Sequence, residues 1–262
     1  MNHDFVIIDF ETNHTIFPGM DPIECGLLHC SFDKFRILST YNERFKPRTK
    51  IQKTVSRITG IRPGHVKDKP YFYDYFEEFF SSHIQDSLLV GHNVCFDLKI
   101  LGYFYTRIKR KPYTVRYLDT LSLARKYLPG LTNYKLGTIA RSIHRYFNLP
   151  GHRAINDCLM CHHILSTIYS RENSMHFIDN HIHTYHYEFP EDVTDHIPFI
   201  LDRAKHFFSF PVTDENLSFF NNKLYLEIIT PARKFLKTYQ VDYYTSPSIQ
   251  FNLVKSLSLF AK

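Results

Sequence analysis

No stretch of the chain approaches the roughly 18 uninterrupted apolar residues of a membrane-spanning helix. Its first residues, Met-Asn-His-Asp, lack the cationic segment and apolar run of a secretion signal. The expectation is a soluble, intracellular, cytoplasmic chain without a membrane partner. Cysteines number five, an odd and scattered set, which is not the dense framework of a small secreted domain; free thiols are expected. Glycines number only nine, with no Gly-rich phosphate cradle among them, and no nucleophile-elbow serine is found. Internal repeats and low-complexity tracts are also lacking.

What is present is ordinary for a folded chain. Hydrophobic residues make up 44%, charged residues 22% and aromatic residues 16% of 262 positions, which argues against disorder and leaves room for one large domain, or a domain plus an appendage. Charge is uneven. Residues 1–170 hold 23 Lys and Arg against 15 Asp and Glu, while 171–262 hold 9 against 11. Two basic stretches, 44–69 and 107–116, lie in the first part. Such clusters suit a polyphosphate partner, although a solvated charged face is the commoner meaning.

Phe5-Val6-Ile7-Ile8 reads as a central strand buried on both faces. Further strands are expected at 24–30, 36–41, 87–90 and 117–118. Helical spacing predicts helices over 71–83, 94–108, 136–143 and 154–169. After Ser170 five prolines, from Pro190 to Pro247, break the pattern into short segments, among them 199–208 as a helix and 224–229 as a strand or buried helix. The expected organisation is an α/β domain over 1–175 and a smaller C-terminal region, 176–262.

Three separated pieces carry chemistry: Asp9-Phe10-Glu11 at the end of the first strand, His92-Asn93 with Asp97, and His152 with Asp157. Residues two apart on a strand share a face, so Asp9 and Glu11 present paired carboxylates and Phe10 points the other way. Helical spacing puts Asp97 and Asp157 on the inward stripes of their helices. Four inward acids raise one another's pKa, and a divalent metal bound by hard oxygen ligands, Mg²⁺ or Mn²⁺, is the economical compensation. Taken singly, Asp97 or Asp157 also fits a carboxylate bonded to amides in the first turn of a helix. Cys158-x-x-Cys161 lies on an inward helix face and reads as core; His181, His183 and His186 read as a solvated loop.

In combination these pieces resemble the DEDDh family of 3′-to-5′ exonucleases, in the ribonuclease H-like superfamily. The carrying motifs are Asp9-Phe10-Glu11-Thr12, His92-Asn93-Val94-Cys95-Phe96-Asp97 and His152-Arg153-Ala154-Ile155-Asn156-Asp157. Thr59-Gly60-Ile61, Asp119-Thr120 and Asn133-Tyr134-Lys135-Leu136 look like further family landmarks. Asn13 and His14 depart from the Thr-Gly common after the first motif, and Cys158 stands where Ala is frequent.

The resemblance implies a mixed five-stranded sheet flanked by helices, and two Mg²⁺ or Mn²⁺ ions held by Asp9, Glu11, Asp97 and Asp157. It implies His152 as the base that deprotonates the attacking water, a task suited to imidazole. Phe10, Thr12, His92 and Asn93 are the implied substrate contacts. The implied activity is release of nucleoside 5′-monophosphates from single-stranded or frayed 3′ ends in DNA replication or repair, with a polymerase or another protein as partner of the C-terminal region. An exoribonuclease of the same fold and a catalytically silent 3′-end-binding module are the alternatives.

Overall fold

The computed structural model describes residues 5–14, 21–109, 111–144, 149–172 and 175–188, and beyond them 200, 201, 204, 208, 216–220, 223–229, 235–242 and 250–258. Six strands form the first sheet: β1 (Phe5–Thr12), β2 (Pro22–Ser31), β3 (Arg36–Arg44), β4 (Leu89–Gly91), β5 (Tyr113–Asp119) and β6 (His183–Tyr187). Their order is β3-β2-β1-β4-β5-β6. β1, β4 and β5 run parallel; β2, β3 and β6 are antiparallel to their neighbours.

The helices that accompany this sheet are α1 (Lys53–Thr59), α2 (Pro63–Val66), α3 (Phe72–Phe79), α4 (Cys95–Lys109), α5 (Thr120–Tyr127), α6 (Leu136–Ile143), α7 (Ala154–Glu172) and α8 (Met175–Asp179). They cover both faces. On one, Phe5, Ile7, Leu28, Val90 and Leu118 pack with Cys158, Cys161, Leu165 and Ile168 of α7. On the other, Val6, Ile8, Phe10 and Leu27 meet the aromatic stripe Phe72, Phe76 and Phe79 and the α4 residues Leu98, Leu101 and Phe104. The two clusters divide β1 by alternation, as the pleat requires. The helix expected over 71–83 is α3 continued by a π-turn, Phe80–Ile84.

The mixed α/β sheet flanked by helices is as expected, with six strands in place of five. The extra strand is β6, which pairs with β5 from Tyr113↔Tyr187 to Tyr117↔His183. It lies past residue 175, so the first sheet draws on the segment assigned above to the C-terminal region. Its polar sequence, His183-Thr184-Tyr185-His186-Tyr187, suits an edge position and hid it as a loop. A second, antiparallel sheet follows, β7 (Leu217–Phe220), β8 (Lys223–Ile229), β9 (Phe235–Asp242) and β10 (Gln250–Ser258), ordered β10-β9-β8-β7. The helix expected over 199–208 falls largely outside the described residues; Ile200, Leu201, Ala204 and Phe208 are helical. Among the described residues no helix is long and apolar enough to cross a membrane.

Gly26 governs how close α7 comes to β2. A Cβ there would stand 2.5 Å from the Ala154 carbonyl carbon and 2.5 Å from the Ile155 nitrogen, both backbone atoms that cannot swing aside. Gly26→Ala is therefore expected to cost about 1–3 kcal/mol in chemical denaturation. Gly64→Ala, where a Cβ meets nothing within 4 Å, serves as the near-neutral control; equal stability of the two variants would contradict this packing.

Candidate active site

Because Phe5 and Ile7 face α7, alternation carries Asp9 and Glu11 to the same face at the end of β1. The β1–β2 register sets Gly26 opposite Asp9 and Glu24 opposite Glu11, so a fifth acid shares this corner. Asp97, in the first turn of α4, is 4% exposed, and its Oδ1 accepts the Phe10 amide at 2.9 Å. Asp157, in the first turn of α7, is buried, and its Oδ2 accepts the His152 amide at 3.0 Å. The two helices thus bring acids to the strand end from opposite sides of the sheet.

One ligand atom each from Glu11, His152 and Asp157 lie within 4.8 Å of one another, the one group of this kind among the described residues. Asp9 and Asp97 lie outside that trio and act on it through charge. Burial, then Asp97, Asp157 and Glu11, push the Asp9 carboxyl well above its ordinary range. Burial, then Asp157 and Glu24, raise Glu11 to about 8. Burial also raises Asp97 to about 8, against the opposing Phe10 amide bond, and Asp157 to about 6. Acids crowded in this way call for a counter-charge, and an oxygen-rich set with one imidazole fits a hard divalent cation.

Glu24 behaves oppositely. Although burial raises its pKa, bonds from Arg153, Arg44 and the Ala154 amide outweigh that and lower it. Its strand pattern alone does not single it out; the signal it carries is a carboxylate inside the otherwise apolar, fully buried run 22–28 of β2.

The other expected residues fare unequally. The Phe10 ring is 5% exposed and packs edge-on against Phe72 at 5.4 Å between centroids, so it belongs to the core and offers no face to substrate. Thr12 is buried, and its hydroxyl donates to the His14 carbonyl at 2.7 Å. Asn13 and His14, the departures from the family pattern, are buried too: the Asn13 amide donates to Thr49 Oγ1 at 2.8 Å, and the Gln52 amide lies 2.7 Å from His14 Nδ1. His92 has both ring nitrogens engaged, Nε2 with the Tyr134 carbonyl at 3.0 Å and Nδ1 with Thr120 Oγ1 at 3.1 Å. Burial lowers its pKa, and the ring donates from Nε2 to the Tyr134 carbonyl, bracing the loop before α6. Asn93 is exposed, with φ 59°, and gives its amide to Asp119 Oδ1 at 2.8 Å.

The two basic stretches part company. β5 starts at Tyr113 and reaches the site end only at Asp119, about 20 Å further on. Before it, Arg107 is buried, donating to the Tyr103 hydroxyl and the Leu217 carbonyl, and Lys109 pairs with Glu77 at 2.5 Å. That stretch stands at the wrong edge of the sheet to follow a strand entering the site. Stretch 44–69 is better placed: Ile51, Val55, Ile61 and Val66 pack on Ile23, next to Glu24, leaving Lys53, Arg57 and Arg62 exposed.

Raised carboxyl pKa values make the metal-free fold pH-sensitive. Glu11 and Asp97 hold protons more tightly when folded than when unfolded. Their contribution is complete below about pH 4 and is lost as pH rises through about 8; for Asp157 it is lost through about 6. In chelator, stability attributable to the site should fall between pH 5 and 8, and Asp97→Asn should remove on the order of a kcal/mol of that fall. Melts in EDTA across this range test it; identical pH profiles for wild type and Asp97→Asn would refute the electrostatic account.

A family model described as Exonuclease (RNase_T) matches residues 6–165. Among curated relatives, a DNA polymerase III PolC-type protein from Thermotoga maritima is 30% identical over 158 residues, 58% of this chain but 11% of that protein. DNA polymerase III subunit epsilon from Buchnera aphidicola subsp. Schizaphis graminum is 28% identical over 182 residues, 64% of this chain and 75% of that one. The chain thus spans about a tenth of the PolC-type relatives it matches. Among solved structures, the nuclease domain of 3′hExo, a DEDDh family member bound to rAMP, aligns with TM-score 0.54 at 15% identity, covering 64% of this chain and 93% of that one. E. coli exonuclease I in complex with a dT13 oligonucleotide aligns with TM-score 0.53 at 14% identity, covering 90% of this chain and 54% of that one. At these identities the structures speak for the fold.

Proposed function

The chain belongs to the DEDDh-type 3′-to-5′ exonuclease family, and we propose that it hydrolyses phosphodiester bonds from the 3′ end of nucleic acid, releasing nucleoside 5′-monophosphates. The observation that carries this reading is the convergence of Glu11, His152 and Asp157 beside Asp9 and Asp97 at the end of β1. Asp9, Glu11, Asp97 and Asp157 would hold two Mg²⁺ or Mn²⁺ ions. Ions bound there supply a water of lowered pKa and stabilise charge on the departing 3′-oxygen.

His152 would take the proton from the attacking water. Its exposed ring at the rim, beside Glu11 and Asp157, supports the role. Asn93, exposed beside Asp97, is the remaining candidate among the four expected contacts for touching the strand end; His92 acts through the loop it braces.

DNA is the favoured substrate, since the epsilon and PolC-type relatives are DNA polymerase components by name and exonuclease I is bound to a deoxy-oligomer. A 3′-exonuclease recognising a histone mRNA stem-loop has the same fold, which keeps RNA trimming as the alternative. We assign the exonuclease domain to residues 1 to about 188, so as to include β6. The likeness in fold to exonuclease I extends past that sheet, which supports treating the C-terminal sheet as part of the nuclease rather than as a separate polymerase-recruiting module.

Matched 5′-labelled deoxy- and ribo-oligomers, single- and double-stranded, with Mg²⁺ or Mn²⁺, test the reading. Shortening from the 3′ end, fastest on single-stranded DNA, is expected. Asp9→Asn and His152→Ala should each lower kcat by about 10²–10⁴-fold. Tight binding with no cleavage by wild type would favour the silent module.

The exposed cations of α1, with Arg62 just ahead of α2, would follow upstream phosphates. Reversing Lys53, Arg57 and Arg62 to Glu should weaken binding of a single strand and shrink the salt slope by roughly 0.7 for each phosphate no longer neutralised. Reversal at Lys109 and Lys111 should do neither, and the opposite ranking would overturn this path.

A further inference from the structure

Glu24 is the acid at this site that the proposed reaction does not use, and it is fully buried. Both of its oxygens are occupied. Oε1 accepts from Arg44 Nε at 3.0 Å and from Arg153 Nη2 at 3.0 Å. Oε2 accepts from Arg153 Nε at 3.2 Å and from the Ala154 amide at 3.1 Å. Four donors on two oxygens leave no lone pair directed at a metal ion, which separates Glu24 from Glu11 directly across the strand pair.

Three of those four donors come from Arg153 and Ala154, the two residues that follow His152. The same turn sends the His152 amide back to Asp157 Oδ2. His152 itself sits at φ 60°, a conformation costing a non-glycine residue about 1–2 kcal/mol and retained only where neighbours over-determine it. Asp157 holds that turn from the helix side, and Glu24 holds it from the sheet. The bare backbone of Gly26, two residues along β2, lets the turn descend onto the strand.

We propose that Glu24, through its bidentate pair with Arg153 and its bond from the Ala154 amide, is a positioning residue that sets His152 and Asp157 against Glu11 for hydrolysis. This rests on the nuclease reading above. The pair has the two parallel N–H···O bonds that fix a guanidinium's orientation as well as its distance, so a shift of Arg153 carries the adjoining His152 with it. A purely stabilising ion pair is the competing account, and buried ion pairs are weak contributors to net stability.

Arg153→Ala is the variant of choice. Its side chain is 37% exposed, and its loss leaves Glu24 with Arg44 and the Ala154 amide. On the full chain, three quantities are measured: kcat and KM on a single-stranded deoxy-oligomer, Mn²⁺ affinity without substrate by electron paramagnetic resonance, and Tm. A fall of about 10–100-fold in kcat and in Mn²⁺ affinity, with KM and Tm near wild type, is expected. Arg153→Lys, which cannot make the bidentate pair, should recover only part of the loss. Methylguanidinium in solution should restore turnover to Arg153→Ala. Glu24→Gln should resemble Arg153→Ala in kcat and Mn²⁺ affinity per folded molecule.

Wild-type kcat and Mn²⁺ affinity in Arg153→Ala would overturn the proposal, as would losses that only track the unfolded fraction. Should wild type bind Mn²⁺ yet cleave nothing, the nuclease reading fails, while the Mn²⁺ isotherms still decide whether Glu24 and Arg153 position the acids.

Discussion

Like charge crowded onto one face of a buried strand is the constraint from which this architecture follows. Asp9 and Glu11 cannot turn away, because β1 is gripped on both sides: Phe5 and Ile7 against α7, and Val6, Ile8 and Phe10 against α3 and α4. A one-residue slip would turn the two acids toward the aromatic cluster and exchange the residues packed on the two faces, so the hydrophobic pattern that folds the sheet also fixes the acids. Two helices then deliver Asp97 and Asp157 by their first turns. There the helix dipole favours an anion, although not enough to hold either acid at its ordinary pKa. The fold therefore holds unfavourable electrostatics in place by packing, and a cation is the natural counterpart.

Two strained backbone positions lie at the same corner. Asn93 and His152 both adopt left-handed φ, at 59° and 60°, and each gives its amide to a carboxylate, Asp119 Oδ1 and Asp157 Oδ2 respectively. Asp119 also caps α5 by accepting the Leu121 amide. A left-handed residue ahead of each acid-bearing helix lets the chain enter that helix through a tight turn, from the end of β4 in one case and from the segment after α6 in the other. The acids are thereby brought within reach of β1 while His152 stays in solvent.

Much of this was legible in the residues. The apolar run ending in Asp9, the inward stripes containing Asp97 and Asp157, and the limits of α6 follow from period-two and 3.6-residue patterning. What escaped has identifiable physical causes. β6 carries His183, Thr184 and His186 at a sheet edge, where exposure permits polar residues and erases the alternation. α1 spans seven residues and buries only Val55 and Thr59, too few to show a stripe. Arg107 counts as a surface charge in any tally, yet it is buried with the Tyr103 hydroxyl and the Leu217 carbonyl as partners. Phe10 was nominated by its place in a motif, and the pleat turned its ring to the core.

Glu24 illustrates a harder case, since a single residue type serves two opposite ends within one cluster. Glu11 and Glu24 are cross-strand partners on the same face, so local pattern cannot tell them apart. The difference lies in what approaches from elsewhere in the chain: two guanidiniums and an amide for Glu24, and three further acids for Glu11. The first arrangement satisfies its charge within the protein and so can only orient its neighbours; the second leaves charge unsatisfied and so can bind. Arg153 serves both, pairing with Glu24 while its positive charge moderates Glu11. A hydrophobic substitute for the Glu24–Arg153 pair would fill the space as well, but would fix neither the orientation nor the field at the adjoining acids. Buried ionic bonds at this corner are thus better understood through geometry than through stability.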